Sequence, residues 1–265
     1  MSRGRFIYLS LGAGVQSTAM LAMSDRGDYG VPRADVAVFA DTHAEPRYVY
    51  EHLEKLKGLV TIPIHVASKG SLEAEIMSGK RMELPAFTES DSGGGMVRRQ
   101  CTRDYKVYPI QRWVRSYLGY TRGQRMKHDV ICMVGISVDE IQRAKPSQDA
   151  WITRIHPLID ADLRRKECMA YLEKIGWPVP KKSSCVFCPY HDAAAWRDLK
   201  ENYPQEWERA VKIDHAIRNS SAAGISKPVY LHRSMKPLDE VEFKPAHTTP
   251  LFDSFTEECE GMCGV

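Results

Sequence analysis

The residues best suited to chemistry in this chain are its thiols. Seven cysteines occur in 265 residues, and Cys185 and Cys188 are separated only by Val186 and Phe187. Two thiolates at that spacing in a turn can bind one metal centre or cycle as a redox dithiol. Pro189 follows the second thiol, as in iron–sulfur ligand runs that end in Cys-Pro. Cys168 lies among Arg164, Arg165 and Lys166, whose charges favour a thiolate. It reads as a further ligand or as a buried helix residue. Cys132 falls within an apolar run and reads as core. Cys259 and Cys263 lie just before the C-terminal Val265, as reactive tail thiols or incidental ones. An odd thiol count in a chain of this size argues against a disulfide framework.

A second candidate is the turn Ser10-Leu11-Gly12-Ala13-Gly14-Val15-Gln16-Ser17-Thr18. Small residues at a helix start let an anion approach free backbone N–H groups, with the helix dipole in favour. A tight strand-to-helix connection without a ligand would use the same residues, and glycine content does not separate the two. The spacing matches neither a Walker loop nor a dinucleotide fingerprint. Arg98, Arg99, Arg103 and Lys106 surround Cys101, and Arg122, Arg125 and Lys127 form a second basic group. Either group could neutralise a phosphate or simply face solvent.

The elements that must position these residues follow from hydrophobic patterning. Short apolar runs at 6–9, 36–40, 62–66 and 130–134 read as strands suited to cover on both faces, with Pro63 marking a strand start or an edge. Helices are expected over 17–23, 45–57 and 104–118, with apolar residues at helical spacing. Strand–helix alternation of this kind predicts an α/β fold with a doubly wound parallel sheet. Residues 88–99, with three consecutive glycines, read as a mobile loop. Beyond Trp151 the chain turns helical and cysteine-bearing, with helices over 163–174, capped by Asp162, and from Pro204 onward. The tail from Lys244 shows no periodicity. The expected division is a nucleotide-binding α/β domain over 1–150 and a helical portion over 151–265.

Composition sets outer bounds. Hydrophobic residues make up 43% and charged residues 27%, which suits a globular domain with a real core. A formal charge of +3 is too small to argue for nucleic-acid binding. No stretch reaches the roughly 18 apolar residues of a membrane span, and 6–9 is too short for a signal peptide. The expectation is a cytoplasmic protein with no membrane partner.

The glycine turn resembles the PP-loop of the adenine-nucleotide alpha-hydrolase superfamily, whose pattern is SGGxDS. Gly12 to Ser17 occupy its six positions, with Gly12 for the first Ser, Ala13 for the first Gly and Gln16 for the Asp. Further segments are similar, in the same order, to those of PAPS and APS reductases. Residues 39–46 resemble their DTG region, and 99–110 their CC-x-x-RKV-x-P-L segment. Residues 134–143 resemble G-x-R-x-x-E-S-x-x-R with Ser137 in place of the Arg, 157–160 the PL-x-D-W, and 184–189 the G-C-x-x-C. The match spans roughly residues 6–190 and also looks like the short reductase-like proteins common in bacteriophages.

The resemblance implies an oxidoreductase acting on sulfur groups of an adenine nucleotide, PAPS or APS. It implies nucleotide contacts from Ser10, Gly12, Ala13, Gly14, Gln16, Ser17 and Thr18, and from Asp41, Thr42, Lys106, Gly135 and Arg143. It implies a [4Fe–4S] cluster, with zinc as the alternative, on Cys101, Cys185 and Cys188. Thr102 stands where the family has its second adjacent Cys, so Cys168 is taken as the fourth ligand. The family's terminal E-C-G-[LI]-H nucleophile makes Cys263 or Cys259 the catalytic thiol, regenerated by a thioredoxin-like reductant. A homo-oligomer is expected. The alternative is an ATP-dependent sulfurtransferase acting on nucleic acid, as in tRNA thiolation or DNA phosphorothioation. Loss of the loop Asp at Gln16 counts against ATP cleavage.

Overall fold

The computed structural model describes residues 4–79, 84–90, 93–97, 100–219 and 227–243. All four expected strands form, as β1 (Arg5–Leu11), β2 (Val36–Asp41), β3 (Ile64–Ser68) and β6 (Asp129–Val134). A fifth, β7 (Ile152–Ile155), joins them in a parallel sheet ordered β3-β2-β1-β6-β7. The chain steps outward from β1 to β3, then crosses back to place β6 on the other side of β1. That reversal opens a crevice at the carboxyl ends of β1 and β6, where open α/β sheets take their ligands.

Alternation along the strands sends side chains to two cores. Leu9, Leu11, Ala37, Phe39 and Met133 face α1 (Val15–Arg26), α2 (Arg47–Leu59) and α6 (Arg165–Lys174). Tyr8, Val36, Val38, Val130, Cys132 and Val134 face α4 (Tyr108–Tyr117), which contributes Ile110 and Val114. The sheet is therefore covered on both faces, as its unbroken apolar strands require. Cys132 is fully buried here, in the core role its sequence context implies.

A third core sits at the carboxyl edge of the sheet. Val186 and Phe187, between the paired cysteines, pack with Trp196, Ile213, Ile217, Leu231 and Leu238. These come from α7 (Ala193–Asn202), α8 (Pro204–Ile217) and the segment after it. The cysteine turn is thus anchored by two apolar residues on a helical layer, with Tyr105 and Ala44 completing the cluster.

Several expectations change. The expected mobile loop is partly a hairpin: β4 (Phe87–Ser90) pairs antiparallel with β5 (Gly93–Met96) and with β8 (Val229–Tyr230). Glycines carry no strand signal, so that pairing depends on a partner some 140 residues away. Asp162 does not cap α6; its φ is +51°, and Arg164 occupies the N-cap position. The helix at 104–118 begins as a π-helical turn over Arg103–Val107. Of the C-terminal portion, β7 extends the sheet, the one-turn α5 (Pro157–Asp160) follows it, and α6 packs on the α1 face. Two helices had no strong periodic signal, α3 (Leu72–Met77) and α7. Each has a side-chain cap, Ser71 accepting from Ala74 N and Asp192 from Ala195 N. Among the described residues no helix is long and apolar enough to cross a membrane.

Candidate functional site

The glycine turn joins β1 to α1 at the sheet's reversal point. Ala13 sits at φ +58°, in the left-handed region. A non-glycine residue there costs about 1–2 kcal/mol and must be held by its surroundings. Gly14 is the N-cap of α1 and offers no side chain to the first N–H groups, which have no intrahelical acceptor. Ser10, Gln16, Ser17 and Thr18 are all buried. Ser17 Oγ donates to the Gly14 carbonyl at 3.3 Å. Gln16, the residue in the place of the loop Asp, bridges the crevice. Its Nε2 donates to Ser137 Oγ at 3.4 Å and Glu140 Oε2 at 3.2 Å, both beyond β6. Its Oε1 accepts from Arg165, at the start of α6, at 3.1 Å. Glu140 is paired with Arg143, so its carboxylate is neutralised where an anion would lie. Gly135 follows β6 on the same side.

Thr18 rests on His52 of α2, with Oγ1 to Nε2 at 3.0 Å. Burial, with a smaller push from Lys55, lowers the His52 pKa to about 4. The unfolded chain therefore takes up this proton first. Stability present above pH 6.5 is lost as the pH falls toward 4. The full shift corresponds to about 3 kcal/mol. His191, lowered to about 4 mainly by burial, acts in the same window. Urea unfolding across that range should show a falling midpoint, and His52→Phe should flatten the fall by about half. An unchanged slope would show that His52 is not the titrating group.

At the carboxyl end of β2, Asp41 Oδ1 accepts from His43 N at 2.7 Å and from the Tyr50 hydroxyl at 2.8 Å. Thr42 points the other way. Its Oγ1 lies 3.4 Å from Cys185 Sγ. Cys101, Cys185 and Cys188 line one cavity together with Thr42, Thr102 and Lys106. The Lys106 ammonium is buried there and donates to Glu45 Oε1 at 3.2 Å. Glu45 also accepts from Ser183 Oγ at 3.2 Å and from the Cys185 thiol at 3.8 Å. Burial pushes the Cys185 thiol well up, the Glu45 carboxylate adds to that, and Lys106 opposes it. A thiol so placed is protonated at neutral pH and is a poor free nucleophile; a metal would have to displace its proton.

Cys168 lies elsewhere. It is fully buried on α6, packed into the α1 face of the sheet with Leu172 and Tyr171. The structure thus gathers three of the four expected ligands. The cavity between them holds about 20 Å³, roughly room for one water. Among the described residues no group of three donors stands close enough to hold a metal ion. Cys168 is not among the residues that line this cavity. Cys259, Cys263, Arg98 and Arg99 lie outside the described residues. Arg122 of the second basic group lines an open cavity of about 950 Å³ with Arg112, Arg115, Trp113 and Tyr120.

Sequence reading passed over Glu45, Glu140 and Arg165 as site residues. Glu45 and Glu140 fall inside motif segments, but their partners are distant. Nothing local marks Glu45 as the counter-ion of a lysine 61 positions away.

The fold and these contacts define an α/β protein with a doubly wound parallel sheet and a polar crevice at its reversal point. No family model matches the sequence, and no curated protein matches it. Among solved structures, similarity is found to the phosphoadenylyl-sulfate (PAPS) reductase of Candida auris in its phosphate complex. The identity is 17% and the TM-score 0.40, over 67% of this chain and 75% of that one.

Proposed function

We propose that the protein is an enzyme of the PAPS reductase-like type, acting on the sulfur group of an adenine nucleotide. The observation that carries this reading is the contact between Thr42 and Cys185. It joins the carboxyl end of β2, beside the glycine turn, to the three-thiol cavity. A nucleotide with its phosphates on the turn would have its reactive end next to thiols. Arg143 and Arg165 stand in the Gln16 network and would meet its negative charge.

Reduction of such a substrate needs a nucleophilic thiolate. It would attack the sulfur, form a thiosulfonate and release the adenine nucleotide. A thioredoxin-like dithiol would then free sulfite and be oxidised to its disulfide. The Cys185 thiol is held protonated; the resemblance of the tail to the reductases' terminal E-C-G-[LI]-H assigns the role to Cys263 or Cys259. The thiols of the cavity fit a supporting role, and no step is routed through a cluster.

The test is sulfite release from PAPS or APS by the full chain, prepared without oxygen and supplied with thioredoxin. Loss of release in Cys263→Ser or Cys259→Ser is the expected outcome. Arg143→Ala should weaken nucleotide binding by about tenfold or more. Robust pyrophosphate release from ATP, with or without nucleic acid, would replace the reductase reading by the sulfurtransferase one. Metal and sulfide analysis of the same preparation decides between zinc and iron–sulfur.

A further inference from the structure

Residues 105–128 hold six Lys or Arg and no Asp or Glu, in a chain whose formal charge is only +3. The net charge therefore hides a local excess of cations. The fold gathers part of that excess around one open cavity of about 950 Å³, near the upper end of the range for ligand sites. Arg112, Trp113 and Arg115 line it from α4, Tyr120 and Arg122 from the loop that follows, and the end of β3 completes it. β3 is an edge strand of the sheet, so no further strand covers this side. The β3 wall ends at Ser68, whose hydroxyl donates to the Asp41 carbonyl at 2.8 Å. The groove thus reaches the carboxyl edge of the sheet.

Among the described residues no carboxylate lines this cavity. Arg112 and Arg122 are exposed, and neither pairs with a carboxylate among the described residues. Arg115 donates to the Thr121 and Gln124 carbonyls at 3.0 and 2.6 Å. Those bonds brace the loop that carries Arg122, and neither partner is a counter-ion. Asp149 accepts from Gln111 of α4 at 2.6 Å and is not part of the lining. Rings stand among the cations. Trp113 stacks on Tyr117, with centroids 4.8 Å apart and planes 21° apart, and His65 of β3 lies 4.6 Å from the same indole. Tyr117 is 53% exposed. Several cations without counter-ions gain most from a ligand that carries a row of negative charges. An exposed ring beside them suits a flat base that is free to stack. A duplex keeps its bases stacked inside and would leave the ring unused.

We propose that the groove between α4 and β3 binds single-stranded nucleic acid. Its phosphates lie on Arg112, Arg115 and Arg122, and one base stacks on Tyr117. RNA and DNA strands share this chemistry. The inference stands apart from the reductase reading. It uses no residue of the glycine turn or the thiol cavity, and strand binding is measured separately from sulfite release.

The experiment is fluorescence anisotropy of labelled strands of about 12 nucleotides, oligouridylate and oligothymidylate in separate arms, titrated with the full chain. At least one strand should bind. Between about 50 and 200 mM salt its affinity should fall with a log–log slope of about −2, since each of three phosphates on a single strand contributes about −0.7. Arg112→Ala combined with Arg122→Ala should cut affinity about tenfold or more and flatten the slope to about −0.7. The thermal midpoint of that variant should be unchanged, because both side chains are exposed. Tyr117→Leu should cost about tenfold and Tyr117→Phe little, because the ring and not the hydroxyl stacks. Failure of both strands to bind overturns the proposal. So does equal affinity in the double arginine variant, which would place the strand elsewhere on the protein. A duplex of the same length bound as tightly as either strand overturns the assignment to unpaired bases. Polyglutamate that competes as well as unlabelled strand, at equal charge, overturns nucleic acid as the occupant.

Discussion

Replacing Glu45 by Ala is expected to lower stability by about 3–5 kcal/mol, because it leaves a buried ammonium without its carboxylate. Lys106 and Glu45 are 3.2 Å apart, with side chains 8% and 1% exposed. Neither charge can be rehydrated without opening the thiol cavity. Glu45 further accepts from Ser183 and Cys185, so its loss strips three groups of an acceptor. Lys106→Met strands the opposite charge and should cost a similar amount. In the double variant Glu45→Gln, Lys106→Met both charges vanish, and much of the loss should be recovered. Urea unfolding of the four proteins measures this. A single-variant loss below about 1 kcal/mol would mean that water reaches the pair. Cys185 gives a second readout. The Glu45 carboxylate holds that thiol up, so Glu45→Gln should speed its alkylation at pH 8.

The second large effect is expected at Asp214, on α8 and fully buried. Its carboxylate accepts from Leu231 N at 2.8 Å and Leu238 N at 3.0 Å, and pairs with Arg218 one turn on. One side chain thus pins the segment after β8 to α8, and with it the cover over the cysteine turn. Asp214→Ala would leave two backbone donors and a guanidinium unsatisfied. An orphaned buried donor costs about 1–3 kcal/mol, so the loss should reach about 3–5 kcal/mol. Hydrogen exchange locates it: the amides of Leu231 and Leu238 should lose protection before those of the central strands. Uniform loss across the sheet would show that Asp214 supports the whole fold rather than this cover. Asp214→Asn keeps one acceptor oxygen and should cost roughly half as much.

Much of the frame was legible without coordinates. Four apolar runs became strands; three are the inner ones, whose unbroken hydrophobicity needs cover on both faces, and β3 lies at the sheet edge with only Ala67 buried. The glycine turn and the Cys185–Cys188 pair were visible because their meaning lies in spacing of a few residues. The antiparallel pairing of β4 with β5 was not. A run of glycines says nothing of pairing, and the strand that pairs with it lies near residue 229. Cys168 shows the limit from the other side. Its basic neighbours suggested a thiolate, yet the period of α6 turns it toward Leu172 and the sheet.

Local pattern therefore determined four of the five strands of the parallel sheet, its main helices and the place of the glycine turn between β1 and α1. These depend on residues within a helical turn or a strand of one another. Only the tertiary structure decided which polar groups meet: Lys106 with Glu45, Arg165 with Gln16, and Asp214 with two distant amides. The physical reason is that a buried charge or donor is costly alone and cheap when paired. Partners come from anywhere in the chain, so spacing carries no trace of them. The four thiols expected as metal ligands divide by the same rule. Two are joined by sequence, a third is brought beside them by the fold, and a fourth is taken away into the core.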